Sequence, residues 1–369
     1  MLFPTQEIGS ISKPNWLIKK LRGASLKNAD LDELNYWIKF SSFEKGKELR
    51  DILKKENINK EHKNILKDLS SLLVIRCFEK IGLDIIYDGE QHRTEMYQEP
   101  ISYINGFKFY GEVRSFDNKY YKKAACVKEV ELKNPYHIDE FNYIKKLTDK
   151  PLKVPLTGAY TFTNWSFNEY FLKKWIKKEK SRKIAIYNAD YDLAINLAKN
   201  VIRPNILALI DSGAKLIQID EPAATTEPEE IEIFVDSYNE STKGINNCKF
   251  NLHICYSAYS LLYPHILKLQ NCSQYTFEFA QSNSYYFLEL MKKNRDKKEI
   301  GLGVIDSHCD KIETPELIRD RILRAAEIIE PERIYVNPDC GLRTRSWKVA
   351  FSKLENMVKG VSLARKSLT

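Results

Sequence analysis

No run in this chain approaches the ~18 consecutive apolar residues that a membrane span requires. Its start, MLFPTQEIGSISKP, offers neither the basic nor the apolar region of a secretion signal. A cytoplasmic location with no membrane partner is therefore the expectation. Cysteine is sparse and odd in number, with seven at irregular spacing: Cys77, Cys126, Cys248, Cys255, Cys272, Cys309 and Cys340. That count speaks against a disulfide framework and leaves two readings, buried free thiols or metal ligands. A dense basic block is also missing. The net charge of +8 arises from lysines spread along stretches such as YFLKKWIKKEKSRK. Such runs mostly line solvated helix faces, the remainder serving attraction of an acidic substrate or partner. Nucleic-acid motifs, internal repeats, low-complexity segments and linkers are lacking too.

What the 369 residues do contain is a core-forming composition, 43% hydrophobic and 29% charged. Short apolar runs alternate with longer stretches of helical periodicity. The strand candidates are LDIIYDGE (83–90), LKVPLTGA (152–159), AKLIQIDEP (214–222), KFNLHICYS (249–257), QYTFEFA (274–280), EIGLGVIDSH (299–308) and RIYVNPDCG (333–341), with FPTQEIGS (3–10) a weaker eighth. Helical pieces are expected over about 15–80, then 167–180, 188–212, 229–240, 256–270, 284–294, 315–329 and 344–365. Strand followed by helix implies parallel strands with crossover helices. Eight such units predict an α/β fold, a (β/α)8 TIM barrel spanning 1–369 as a single catalytic domain, with a doubly wound sheet as the alternative. It carries an N-terminal helical extension. Residues 107–133, alternating around FDNKY, read as a β-hairpin inserted after the second strand.

Active sites of parallel barrels lie at the C-terminal strand ends. Nearly every candidate strand delivers a reactive side chain there: Ser10, Glu90, Asp220, His253 with Cys255, Glu278, Asp306 with His308, and Cys340. His253 and Cys255 stand two apart on one strand and so share a face. Glu278 and Cys340 can complete a zinc set with them, although HIC alone is a weak signal that reads first as a core cysteine beside a chance histidine. Two thiolates and a carboxylate make an anionic site, poor at generating hydroxide and suited to holding a substrate thiol as thiolate. Thiol alkylation is the reaction type this predicts. Glu90 and Asp220 suit an ammonium group, or else cap helices. Backbone amides after IGS can hold a carboxylate, so an amino-acid thiol fits. His308 has the ordinary pKa of a proton donor, or is a surface-loop histidine. Trp165 either stacks on a planar ligand ring or packs on the scaffold. Cys309, beside His308, is a competing thiol.

Read together, EIGS, DGEQHRTEM, LTGAYTFTNWS, IQIDEPA, HICYS, FEFA, GVIDSH and VNPDCGLRTR, in this order over nearly the whole chain, resemble cobalamin-independent methionine synthase, in its catalytic C-terminal barrel and short single-barrel form. The resemblance implies a (β/α)8 barrel using zinc to activate homocysteine for methyl transfer, forming methionine. It implies zinc ligands His253, Cys255, Glu278 and Cys340, and a homocysteine pocket of Ile8, Gly9, Ser10, Glu90 and Asp220. It further implies His308 in proton transfer and Trp165 against the methyl donor, a methylated folate or pterin or a methylcorrinoid protein. The expectation is a form without the second, N-terminal barrel of the long forms, and the TE in QHRTEM departs from their usual pair. Two other readings remain: a zinc thiol alkyltransferase acting on coenzyme M, which Glu90 and Asp220 disfavour for want of an amine, and a non-catalytic barrel with structural zinc.

Overall fold

Backbone pairing in a computed structural model of the chain, which describes residues 1–114, 120–280 and 284–368, forms two separate sheets. Two long strands, β1 (Ile104–Arg114) and β2 (Tyr120–Leu132), run antiparallel with two register shifts. The centre of the expected hairpin, residues 115–119 (SFDNK), lies outside the described residues. A two-residue strand β4 (Phe167–Asn168) adds to β2 in parallel. The main sheet has six parallel strands in the order β3 (Val154–Thr157), β5 (Leu216–Asp220), β6 (Lys249–His253), β7 (Gln274–Glu278), β8 (Glu299–Ile305) and β9 (Ile334–Pro338).

The first two expected strands enter this sheet only as single parallel bridges. Thr5 pairs with Val336, Gln6 with Ile85, and Ile86 with Leu152. Pro4 and Pro151 have no amide hydrogen to donate, and the Thr5 amide is taken by the Asp84 carboxylate at 2.8 Å. The continuous ladder therefore counts six strands, where the sequence led to eight.

Each strand of the main sheet separates its two faces by alternation. Ile217, Ile219, Phe250, Leu252, Tyr275 and Phe277 are buried on one face. Gln218, Asn251 and Gln274 occupy the other, joined by amide hydrogen bonds from Asn251 (2.9 Å) and from Gln6 (2.7 Å) onto Gln274. Burial on both faces is what parallel strands with crossover helices require. Helices follow as the pattern predicts in most places, with Ile231–Thr242 after β5, Tyr285–Lys293 after β7, Pro315–Ala326 after β8 and Trp347–Leu368 after β9. The stretch 256–270 differs. Only two 3-10 turns form, Tyr259–Leu262 and His265–Lys268, because Pro264 between them cannot continue a helical ladder.

Four helices, Asn15–Leu21, Asn28–Phe40, Gly46–Lys54 and Lys60–Ile81, make up the N-terminal extension. The last starts at Asn59, whose side chain accepts the His62 amide, and stops at the left-handed Gly82. Trp37 and Phe78 pack on Phe351 of the C-terminal helix, tying the extension to it by apolar burial of about 1.5–3 kcal/mol per large side chain. One helical run, Arg182–Asp211, is long and apolar enough by length and composition to cross a bilayer. A count of unbroken apolar residues does not register it, since Asp190, Asp192, Lys199 and Arg203 interrupt the run. Half of its most apolar window is buried in the protein, with Leu193, Leu197, Val201 and Ile202 fully enclosed.

Candidate active site

The strand ends of the main sheet bring Asp220, His253, Cys255, Glu278, His308 and Cys340 to one edge. His253 closes β6 and Cys255 follows two residues later, while Cys340 follows β9. The ligating atoms of these three lie within 4.8 Å of one another. His253 is buried, and its Nδ1 sits 2.8 Å from the Thr276 carbonyl, to which it donates. Its Nε2 is buried without a hydrogen-bond partner among the described residues. A fixed Nδ1–H with a bare Nε2 is the tautomer a metal-binding imidazole needs. This nitrogen with the two thiols makes three donors of the soft and borderline kind, which fit zinc chemistry.

These groups also polarise each other. Cys340 is held below the ordinary thiol range by the Cys255 thiol donating to it, with His253 helping against burial. Cys255 is correspondingly pushed up. Burial disfavours the charged His253, but the neighbouring Cys340 sulfur and Asp220 outweigh it and raise the imidazole to about 9; a metal ion binding at Nε2 would displace that proton.

Glu278 ends β7 but stands outside that three-residue group. Its Oε1 lies 3.5 Å from His308 Nε2, while its charge bears on both Cys255 and Cys340. His308 Nδ1 is 2.6 Å from the Tyr256 hydroxyl. The imidazole is raised above its ordinary value, chiefly by Glu278. Cys309 turns elsewhere, its thiol donating to Asp306 Oδ2 at 3.1 Å.

Asp220 pairs in register with His253 across β5 and β6. Burial raises it to about 7, with Glu90 and Cys340 adding to the rise and His253 opposing it. Gln218 Nε2 bridges the Asp220 carboxylate and the Ile8 carbonyl, at 2.7 Å to each. Gly9 lies against Glu90, where a Cβ would come 3.1 Å from Oε1. Ser10 packs on Gly341, which has no room for a side chain: a Cβ there would meet Ser10 Oγ at 2.7 Å. Glu90 itself occupies the left-handed region at φ +58° directly after Gly89 at +64°, a conformation costing a non-glycine residue about 1–2 kcal/mol. Trp165 caps the short helix Ala159–Asn164 after β3, and its ring is 6.1 Å from that of Tyr97. It is partly buried against the core.

Comparison with known proteins fits this arrangement. The family described as "Cobalamin-independent synthase, Catalytic domain" matches residues 40–362. The chain belongs to the cobalamin-independent methionine synthase family. It is 37% identical over 368 residues to a methionine synthase of Thermococcus kodakarensis, covering all of this chain and 95% of that one. To a methionine synthase of Sulfolobus acidocaldarius it is 38% identical over 371 residues, covering 100% and 94%. In fold it is similar to a B12-independent methionine synthase from Shewanella sp. W3-18-1 in complex with selenomethionine, with a TM-score of 0.76, 22% identity, and 100% and 99% of the two chains covered.

Membership makes the chain a methyltransferase of methionine biosynthesis, and it draws attention to neighbours that sequence reasoning passed over. Tyr256 follows Cys255 at φ +52° and meets His308; nothing in HICYS signals a left-handed residue there. Gln218 was findable, since it stands two before Asp220 and so shares its face. Asp339 anchors the far side, its Oδ1 accepting the Phe279 and Ala280 amides at 2.9 and 3.0 Å. Glu221 accepts from the Tyr160 and Thr161 amides and the Thr161 hydroxyl. It thereby caps the helix that leads to Trp165.

Proposed function

We propose that this methionine synthase family member is a zinc enzyme that methylates the sulfur of homocysteine, built as a single (β/α)8 barrel. The barrel reading is supported by the bridges at Thr5, Gln6 and Ile86, which run from β9 round to β3 through the two segments outside the continuous ladder. His253, Cys255 and Cys340 would hold the metal, with Glu278 as the fourth ligand. Bound there, zinc would supply the Lewis acidity that keeps an incoming thiol deprotonated at neutral pH. The observation carrying the reading is the bare, buried Nε2 of His253 beside two thiols.

The chain's own groups then have distinct tasks. Glu90 and Asp220 receive the substrate ammonium, with Gln218 orienting the Asp220 carboxylate. The backbone of Ile8, Gly9 and Ser10 lines the carboxylate end. His308, oriented through Nδ1 by Tyr256, holds a proton for the methyl donor as it leaves. Trp165 lies against the donor, which is a methylated folate or pterin or a methylcorrinoid protein.

The test is methionine formation from homocysteine, run separately with methylfolate and with methylcobalamin. Zinc-edge absorption of the loaded enzyme, with and without homocysteine, accompanies it. A new sulfur in the metal's shell is expected on adding homocysteine. An unchanged shell together with no methionine from either donor would overturn the proposal.

A further inference from the structure

Glu90 is an improbable residue for its backbone. It follows Gly89 in two consecutive left-handed conformations, and only a surrounding network keeps a non-glycine side chain there. That network is unusually explicit. Asp88, fully buried, spends one carboxylate oxygen on the Glu90 amide at 2.8 Å. Its other oxygen accepts the Ser71 hydroxyl at 2.8 Å and faces His92 Nδ1 at 3.1 Å. The second nitrogen of His92 is 2.7 Å from Asp68.

Both imidazole nitrogens thus meet carboxylates, which accept and do not donate when ionised, so both must carry a proton. Burial opposes that charge, but the two aspartates outweigh it and raise His92 to about 10. Asp68 and Ser71 stand three apart on one face of the helix Lys60–Ile81. The N-terminal extension therefore reaches the Glu90 turn along the line helix, His92, Asp88, Glu90 amide, beside the direct Ser71–Asp88 bond and the Ser70–Gln91 contact.

We propose that His92, clamped as a cation between Asp68 and Asp88, is a positioning residue for recognition of the substrate amine, holding Asp88 where it fixes the Glu90 turn, with Ser71 as its second support. The inference rests on the reading of Glu90 as an ammonium-binding carboxylate. A residue acting through Glu90 should be felt by a substrate that has an amine and ignored by one that lacks it. Homocysteine and 4-mercaptobutyrate differ only in that group.

The experiment uses the full, metal-loaded chain and compares His92→Gln, Ser71→Ala, Glu90→Gln and the double variant His92→Gln/Glu90→Gln on both thiols, with bound metal measured for each. His92→Gln is expected to raise KM for homocysteine roughly 10–100-fold, the range a small misplacement of a positioning group produces. Its kcat, its metal content and its KM for 4-mercaptobutyrate should stay near those of the parent. The double variant should be no worse than Glu90→Gln, since the two act in series. If His92→Gln does not fold, Ser71→Ala carries the test, with the same pattern at smaller size. Should Glu90→Gln raise the homocysteine KM while His92→Gln and Ser71→Ala leave it unmoved, the positioning role is wrong and the Glu90 reading stands. An equal loss on both thiols also overturns it, because that is the mark of a merely structural residue. A Glu90→Gln variant with unaltered homocysteine KM removes Glu90 from the pocket and this inference with it.

Discussion

Arg93 grips Glu140 inside the protein, with Nη2 at 2.8 Å and Nε at 3.0 Å from the same carboxylate oxygen. Both side chains are buried. The third arm of the guanidinium donates to the Pro155 carbonyl at 2.8 Å, and Nη1 stands 3.6 Å from Glu90 Oε1. One ion pair thus anchors β3 and borders the Glu90 carboxylate.

Glu140→Gln leaves the Arg93 charge buried with its main partner neutralised, so a loss of about 3–5 kcal/mol at neutral pH is expected. The pH dependence gives a second signature. Burial pushes Glu140 up, but Arg93 and His137 overcome it and bring the carboxyl to about 2, from 4.5 in the unfolded chain. Its contribution is therefore complete above pH 4.5 and disappears as pH falls toward 2. Urea unfolding of parent and variant at pH 7 and pH 3 should show a gap that narrows in acid. A gap of equal size at both would contradict the assignment.

Glu7 and Lys153 carry the opposite kind of signature. Both are buried, and neither carboxylate oxygen of Glu7 nor Nζ of Lys153 has a hydrogen-bond partner among the described residues. Burial raises Glu7 from 4.5 to about 8 and lowers Lys153 from 10.5 to about 8. Between pH 4.5 and 8 the folded state holds Glu7's proton better than the unfolded state, so stability falls as pH rises through that window. Between 8 and 10.5 the unfolded state holds Lys153's proton better, and stability climbs. Glu7→Gln should flatten the first slope and Lys153→Met the second, in a series of melting temperatures from pH 5 to 10. Parallel curves for parent and variants would show that neither group titrates as described.

These two pairs also mark where the sequence is readable. Strand ends such as Asp220, His253 and Cys340 were legible because alternation and the strand–helix rhythm fix which end and which face a residue occupies. The six ladder strands each fall inside an expected run for the same reason. Glu278 was legible as to place, but its turn toward His308 depends on rotamers that no spacing encodes. Pro264 signalled the broken helix after β6 in plain view. Left-handed Glu90 and Tyr256 were not readable, because positive φ in a non-glycine residue is imposed by contacts distant in sequence, such as Asp88 with Ser71 and His92. Arg93–Glu140 joins residues 47 apart, and nothing local foretells that.

Cys340 and Cys309 should separate cleanly. Cys340 lies in the group with His253 and Cys255, whereas the Cys309 thiol is engaged by Asp306. Cys340→Ala is expected to lose bound metal and methyl transfer together, since the remaining donors hold zinc poorly. Cys309→Ala should keep both. Metal per chain after dialysis, measured by elemental analysis, decides the matter. Retention of metal by Cys340→Ala, or its loss in Cys309→Ala, would reassign the ligands.

Gly158 offers the sharpest steric test. A Cβ there would lie 2.0 Å from Glu221 Oε1 and 2.2 Å from its Cδ. Glu221 cannot swing aside at little cost, because its buried carboxylate accepts from two amides and a hydroxyl at the start of the helix Ala159–Asn164. Gly158→Ala must either overpack the site, at about 1–3 kcal/mol, or break charge-assisted hydrogen bonds of similar worth, about 1.5–3 kcal/mol. Gly111 on β1 is the control, with nothing within 4 Å of its added Cβ, and its alanine variant should lie within about 0.5 kcal/mol of the parent. Activity should follow stability in Gly158→Ala, since the displaced carboxylate neighbours Asp220 in the chain and caps the helix leading to Trp165. Adding Glu221→Ala to Gly158→Ala relieves the clash but leaves two amides uncapped. The pair should therefore be less damaging than the sum of the single changes, because the clash is counted only while both side chains are present. Strict additivity in urea unfolding would mean that the methyl group introduced by Gly158→Ala and the Glu221 carboxylate never meet.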